Sequence, residues 1–445
     1  MNRISVFAII FTLFIPLGSY AQYASSSKTP KKAGDLIEST SYNDHKRGAP
    51  RMLQYLPSGE EFVCVNGKNR YTRALYGGHT AWRLETGDRP IFATYVKNDC
   101  RNIRFRLHLP DGTVTPLEET DWCEARYNPG TRTYALKDKA WGENCSLKVS
   151  VLASLTEEMA VWELSGELPA GCELEVLNSP IRRKKLSRSG DMGADPPGCF
   201  EPAEDGTVLQ TLKCRFPVDG HLYVGISGNE LKEMRDGGVQ YLALQKACRE
   251  LSGRIRITTP DPYFNTLGGA LAVAADGIWG EEGVWLHGAV GWRMPLSGWR
   301  AAYVGDVLGW HDRARTHFDN YAASQVTEVP NTISHPAQDS ALHLARSVKK
   351  WGTPQYSNGY ICRNPRRNNQ MHHYDMNLCY IDELSWHFNW TGDLEYARQM
   401  WPVITRHLAW EKLNYDPDND GLYDAYACIW ASDALQYNSG AVTHS

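Results

Sequence analysis

The stretch "TTPDPYFN", Thr258–Asn265, separates two textures of chain, and that change limits the fold more than any other feature of the sequence. Before it, apolar residues recur at every second position in short segments: "EFVCVNGKNRY", "IFATYVKND", "IRFRLHLPDG", "CSLKVSVLAS", "MAVWELSGEL", "CELEVLN", "HLYVGISGN" and "GRIRITTPDP". A period of two matches the alternating faces of a strand, and the β-branched and aromatic residues suit a pleated, half-buried surface. NG, PDG and SG pairs punctuate these segments as turns. Many short strands at this spacing predict an antiparallel β-sandwich over residues 61–259.

After the boundary, apolar residues return every third or fourth position, as in "YFNTLGGALAVAADGIW", "GWRAAYVGDVLGWHDRARTHFDNYAASQ", "HHYDMNLCYIDELSWHFNWTGD" and "DLEYARQMWPVITRHLAWEKLNYD". That period predicts helices. "TGD" ahead of "LEYARQMW" supplies a turn and an N-cap, with Asp393 as the capping residue. The run 381–388, "IDELSWHF", is apolar nearly all round, which predicts a helix buried on more than one face. Residues 260–445 therefore read as an all-α domain of about six helices joined by short turns, and two domains suit a chain of 445 residues.

The first 21 residues place Arg3 ahead of the apolar run Ile4–Leu17, with small residues Ser19 and Ala21 where a signal peptidase reads. A signal peptide over 1–21 is expected, so the mature chain would be exported to the periplasm or the exterior. Residues 22–60 read as a flexible leader and first segment. No later apolar run is long enough for a membrane span. A net charge of −4, from 47 basic and 51 acidic residues, offers no basic field for nucleic acid. The basic run "RRKKLSR" at 182–188 reads as a solvated loop. None of the eleven cysteines forms a CxxC pair, the spacing that a structural zinc site wants. Disulfides are open among Cys64, Cys100, Cys123, Cys145, Cys172, Cys199, Cys214 and Cys248, whereas Cys362, Cys379 and Cys428 read as buried thiols. No cofactor is expected.

Candidate chemistry gathers in the helical part. Asp382 and Glu383 lie inside the nearly all-apolar run, and a carboxylate there must be paired or functional, because burying it alone is costly. Pairing with Arg363 or Arg366 is the expectation for Asp382, and a place in an active site is the sharper reading of Glu383. In "DGIWGEEGVWLHGAVGWRMPLSGWRAAYVGD", 276–306, Trp279, Trp285, Trp292 and Trp299 recur at six or seven residues among glycines, with His287, Arg293 and Arg300 between them. Such a loop can offer ring faces to a sugar and donors to its hydroxyls, or it can pack its rings against the helices. Asp433 follows Trp430 by three residues and precedes Tyr437 by four. It either stands among rings on a helix or caps the helix "ALQYNSG". The run Asp416–Gly421, "DPDNDG", imitates a calcium loop, but its twelfth position is Ala427 instead of glutamate. A turn with aspartates capping backbone amides is the expected structure.

An alternating β region, then "RIRITTPDPYFN", then Trp-rich helical hairpins resembles the six-hairpin glycosidase superfamily, and in particular exported toroid proteins of polysaccharide-degrading Bacteroidota. Thr259, Pro260, Asp261, Pro262 and Asn265 match the segment that leads from sandwich to barrel in that superfamily, and "NDGLYDAYACIWASDALQY" is similar to its "DGL…W.D" segment. The resemblance implies a β-sandwich followed by an (α/α)6 toroid, truncated here after about half its helices, with a site in the toroid's hollow. It implies that Asp433 is the general acid and that Trp430 contacts the sugar. It also implies that the helix start carrying His372, His373 and Asp375 faces the hollow as further sugar contacts.

The function so implied is an exported glycoside hydrolase that cleaves complex polysaccharide with a protonated and an ionised carboxyl group, Asp433 and Glu383 being the catalytic candidates. Its partner would be an oligo- or polysaccharide, with no nucleic acid. Two other readings stand beside it: a non-catalytic carbohydrate-binding or inactive truncated toroid, and a polysaccharide lyase. The lyase would need a basic channel drawn from Arg293, Arg300, Arg363, Arg366 and Arg367, and lyases usually place the toroid before the sandwich.

Overall fold

A computed structural model describes residues 55–71, 73–96, 99–183, 186, 195–217, 220–289, 293–298, 300–331, 338–339, 344–345, 351–352, 356–371, 376–416, 419–421, 423–425 and 442–444. The sheets and helices described below fall in one compact unit, Pro57–Ser445, apart from the first residue of β1.

Fifteen strands form two antiparallel sheets. The first runs β1 (Leu56–Ser58), β2 (Glu61–Val65), β8 (Trp122–Asn128), β9 (Thr131–Lys137), β10 (Ser146–Ala153), β11 (Met159–Glu167), β14 (His221–Ser227) and β15 (Glu230–Glu233). The second runs β13 (Gln210–Arg215), β12 (Glu173–Pro180), β6 (Arg101–His108), β5 (Phe92–Tyr95), β4 (Arg83–Thr86) and β3 (Arg73–Tyr76), with β7 (Val114–Pro116) also on β6. The period-two residues face each other between the sheets. Phe92, Phe105, Tyr134 and Trp162 meet there in tilted or edge-to-face pairs with centroids 5.3–5.9 Å apart, the geometry that ring quadrupoles favour. The PDG turn behaves as its chemistry requires: Asp111 Oδ1 accepts from the Thr113 amide at 2.8 Å, and Gly112 takes φ +91° to reverse the chain between β6 and β7.

The predicted segment "GRIRITTPDP" forms no ladder; it starts in a turn at Gly253–Arg254 and passes the following helix where Gly268 has no Cβ to block the backbone of Ile255. A helix that the period-two reading did not expect precedes it, α1 (Gly237–Ser252). Tyr241, Cys248 and Leu251 are its buried stripe, and the first two pack on Leu152, Met159 and Val161 of the sandwich. The Tyr241 hydroxyl donates to, or accepts from, Ser150 Oγ at 2.7 Å.

Five more helices follow among the described residues: α2 (Pro262–Gly277), α3 (Tyr303–Val307), α4 (His311–Ala322), α5 (Met376–Thr391) and α6 (Leu394–Tyr415). Asp261 caps α2 by accepting from the Tyr263 amide, and Asp393 caps α6 as expected, accepting from the Tyr396 amide at 2.9 Å. The helix expected over "GWRAAYVGDVLGWHDRARTHFDNYAASQ" is split into α3 and α4 by Gly309 at φ +72°, a left-handed conformation that stops the first piece. The core of this half joins Trp285, Phe318, Tyr321, Tyr380, Leu384 and Tyr396. Antiparallel sheets followed by helices are thus the architecture.

Candidate functional site

Helix α5 organises the chemistry. At 100° per residue its buried positions, Met376, Tyr380, Glu383, Leu384 and His387, form one stripe. The expectation of burial on more than one face is corrected here: Asp382, Ser385, Trp386 and Trp390 are exposed, so α5 has one inner and one outer face. Trp386 and Trp390 are 50% and 53% exposed, which is why the sequence looks apolar all round although the helix is not buried all round.

Glu383 stands at the edge of the buried stripe, only about 60° round the helix from Trp386. It is 2% exposed, and its carboxyl faces the Arg300 and Ala302 amides with no side-chain hydrogen-bond partner among the described residues. Burial pushes its pKa well above the ordinary value of 4.5; the Ala302 and Arg300 amides and the Arg300 charge pull the other way, while Asp382 adds to the rise. The net direction is upward, so this carboxyl keeps its proton where an ordinary glutamate has lost it. Asp382 does not pair with Arg363 or Arg366. It accepts a hydrogen bond from the Tyr303 hydroxyl on α3. Arg363 instead points its guanidinium at Met294 and the Pro295 carbonyl, and Arg366 binds Asn320 Oδ1 at 2.7 Å.

Between α3 and the outer face of α5 lies a groove of about 330 Å³ lined by Tyr303, Asp306, Val307, Trp386 and Trp390. Tyr303 and Trp386 meet edge to face at 6.4 Å and 88°, leaving ring surface open to the groove. Its deepest polar group is Asp306, whose carboxylate is held by His387 Nδ1 at 2.9 and 3.0 Å and by His311 Nδ1 at 2.7 Å. Open tryptophan faces beside fixed carboxylates suit a ligand with both apolar C–H faces and hydroxyl donors. Sequence reasoning missed this groove, although Asp382, Trp386 and Trp390, spaced by four, announce one face of a helix.

The Gly-rich aromatic loop is placed as follows. Trp279 and Trp285 pair across a short hairpin with ring centroids 4.7 Å apart. Trp285 is fully buried, with its backbone amide donating to His317 Nδ1 at 3.2 Å, so its ring is a packing element. The His287 amide donates to the Met294 carbonyl at 2.9 Å. The Arg293 guanidinium is engaged by the carbonyls of Gly277 and His79, both at 2.6 Å, and of Trp279 at 3.0 Å. Arg300 is exposed at φ +64°, beside Glu383. Trp292, Trp299, His372, His373, Asp375, Trp430 and Asp433 lie outside the described residues. In the calcium-like run, Asp416 Oδ1 accepts from the Gly421 amide at 3.2 Å, the capping turn that was expected. Among the described residues, no cluster of three or more His, Cys, Asp or Glu could hold a metal ion. No described helix is long and apolar enough to cross a membrane.

One polar clamp ties this half to the sandwich. Asp276, at the end of α2, accepts from His79 Nε2 at 3.0 Å and from Arg313 at 2.7 Å. Burial alone would raise its pKa, but His79 and Arg313 together hold it below the usual carboxylate range. Arg313 also lies over the rings of Trp310 and Trp279, at 4.6 and 5.4 Å.

The class these features define is an antiparallel sandwich joined to a helical half that carries an aromatic groove and a protonated buried glutamate. Among protein families, a domain of unknown function (DUF4450) matches residues 100–210, the span from β6 into β13. No curated protein matches. Among solved structures, a bacterial glucoamylase complexed with acarbose is similar at 8% identity and a TM-score of 0.33, over 58% of this chain and 53% of that one. The chain thus spans about half the length of that glucoamylase.

Proposed function

We propose that this is an exported carbohydrate-active protein of the glycoside-hydrolase type, whose helices belong to a toroid. The observation that carries the reading is the α3–α5 groove. Two half-exposed tryptophans and the Asp306 carboxylate line it, Asp382 accepts from the hydroxyl of its Tyr303, and a carboxyl whose pKa burial raises sits about 60° away on the same helix. Glycoside hydrolysis needs a proton donor at the leaving oxygen and an ionised carboxylate across the sugar. Glu383 supplies a proton-holding carboxyl. Asp433, matched by sequence alone, is the second catalytic candidate.

The enclosure of Glu383 by the Arg300–Ala302 segment favours a second reading, glycan binding without hydrolysis. One set of experiments separates the two. Purified protein is screened on a glycan panel by affinity electrophoresis and by reducing-end release, beside Trp386→Ala/Trp390→Ala, Glu383→Gln and Asp433→Asn. Hydrolysis is expected to fall by at least about a hundredfold in the Gln and Asn variants. The tryptophan variant is expected to lose about tenfold in affinity. Binding with no release by the unaltered protein would select the second reading, and unchanged affinity in the tryptophan variant would remove the groove from both.

A further inference from the structure

A second concavity, away from α5, has the chemistry of a binding site. It has a volume of about 690 Å³ and lies where the sandwich meets α1, α2 and the connection between them. Glu60 and Asn128 approach from the sandwich, Arg249 and Ser252 from the last turn of α1, Arg256 from the connection, and Asn265 from α2. A further hollow of about 450 Å³ shares Arg249, Gly253 and Arg256 with it, so the two run together past the same arginines.

The charges in this groove do not cancel. Lys246 faces Glu250 at 3.8 Å one helical turn away, and Arg254 is engaged by the Leu308 carbonyl at 2.6 Å and by the Trp310 ring at 5.2 Å. Arg249 and Arg256 are exposed and have neither an ion pair nor a side-chain hydrogen bond among the described residues. Asn265 is already committed to capping Thr259 through 2.6 and 2.9 Å bonds, so it serves as wall. The carbonyl end of α1 and the Glu60 carboxylate together oppose an anion with about one and a half charges, while the two guanidinium groups offer two whole ones, so a small positive balance remains. Guanidinium forks match carboxylate and sulfate oxygens in bidentate fashion, and Glu60, Asn128 and Ser252 complete a set suited to hydroxyls.

We infer that this groove is a second glycan-binding site, selective for a sugar residue bearing a carboxylate or sulfate that Arg249 and Arg256 grip together. It deepens the carbohydrate reading above by giving the charge of the chain that is bound, and it does not involve Glu383 or the α3–α5 groove.

The test is calorimetric titration of the full chain with oligogalacturonate, with a sulfated galactan oligosaccharide, with the carboxyl-reduced neutral oligosaccharide, and with inorganic sulfate. Each titration is run at about 20 and 200 mM salt, where exposed charges go from weakly to strongly screened. At least one acidic oligosaccharide is expected to bind more tightly than the neutral one and than inorganic sulfate, and to weaken with salt. Which of the two acidic oligosaccharides binds identifies the group as carboxylate or sulfate. Arg249→Gln/Arg256→Gln is expected to weaken that binding roughly a hundredfold, about tenfold per arginine, and Arg249→Lys/Arg256→Lys to restore part of it. The proposal is overturned if no acidic oligosaccharide binds, if the neutral one binds as well, if binding does not exceed that of inorganic sulfate, or if the double Gln variant titrates like the unaltered protein. Because the Trp386→Ala/Trp390→Ala variant keeps both arginines, loss of binding there but not in the arginine variant would count for the groove on α5 and against this one.

Discussion

Glu383→Gln turns the unusual setting of this carboxyl into a measurable slope. In the folded chain Glu383 is buried without a side-chain hydrogen-bond partner among the described residues, and burial holds its pKa well above the 4.5 of an exposed glutamate. Above pH 4.5 the unfolded chain releases the proton and the folded chain keeps it, so the folded state binds more protons. Stability is therefore fully present below pH 4.5 and declines as pH rises towards the folded-state pKa. One such group contributes a slope of at most about 1.4 kcal/mol per pH unit, confined to the window between 4.5 and its folded-state pKa. Glutamine keeps the shape and stays neutral, so that contribution vanishes while every other titrating group is unchanged. Urea unfolding followed by tryptophan fluorescence, at half-unit steps from pH 4.5 to 8, should show the two proteins similar at the acid end. The Gln variant should then gain on the unaltered protein with rising pH. Glu383→Leu, which also removes the acceptor facing the Arg300 and Ala302 amides, should share the flatter pH profile of the Gln variant and be inactive. Parallel stability curves across the range would refute the reasoning, because they would mean that Glu383 ionises in the folded chain as it does in the unfolded one.

His407 is fully buried, with its Nε2 3.9 Å from Glu411 and the Gly359 backbone beside it, and burial depresses its pKa to about 3. The unfolded chain binds the extra proton between pH 6.5 and 3, so stability falls as pH drops through that window, and His407→Gln should flatten the acid limb of a melting-temperature profile by about 1.4 kcal/mol per pH unit. Asp393→Ala should cost about 1 kcal/mol through loss of the α6 cap, read from chemical unfolding, with Asp393→Asn largely preserving stability. A Cβ at Gly298 would stand 2.0 Å from the Met376 carbonyl oxygen and 2.5 Å from the Tyr380 nitrogen. Since backbone cannot step aside as a side chain can, Gly298→Ala should lower stability by about 3 kcal/mol or more and fail to give soluble folded protein at 37 °C.

Legibility followed the range of the interactions. Strands such as Ser146–Ala153 and Met159–Glu167 were readable because a period of two is local, and the Asp393 cap was readable because its partner is three residues away. Helix α1 escaped because exposed Val239 and Leu242 blur its stripe, and the contacts that hold it, to Leu152 and Met159, are remote in sequence. Asp382 was assigned an arginine because nothing local marks Tyr303, 79 residues earlier, as its partner. The burial of Glu383 was inferable from its apolar neighbours, but the exposure of Trp386 and Trp390 was not, since sequence alone does not distinguish a tryptophan that fills a core from one that offers its face. All ten described cysteines are free thiols, so none of the open disulfide pairings forms among them.

The clamp around Asp276 bears on how such a protein can be taken apart or recombined. His79, 197 residues earlier on the sandwich, supplies a hydrogen bond that Asp276 shares with Arg313, and Arg293 reaches back to the His79 carbonyl. The boundary that is plainest in the sequence is thus crossed by a polar joint in which His79 supplies both a ring nitrogen and a carbonyl. A helical half grafted onto a foreign sandwich would keep Arg313 on Asp276 and the Gly277 and Trp279 carbonyls on Arg293, and would lose the share of each that His79 supplies. Shuffling the two parts as interchangeable modules would have to carry His79 across with its loop.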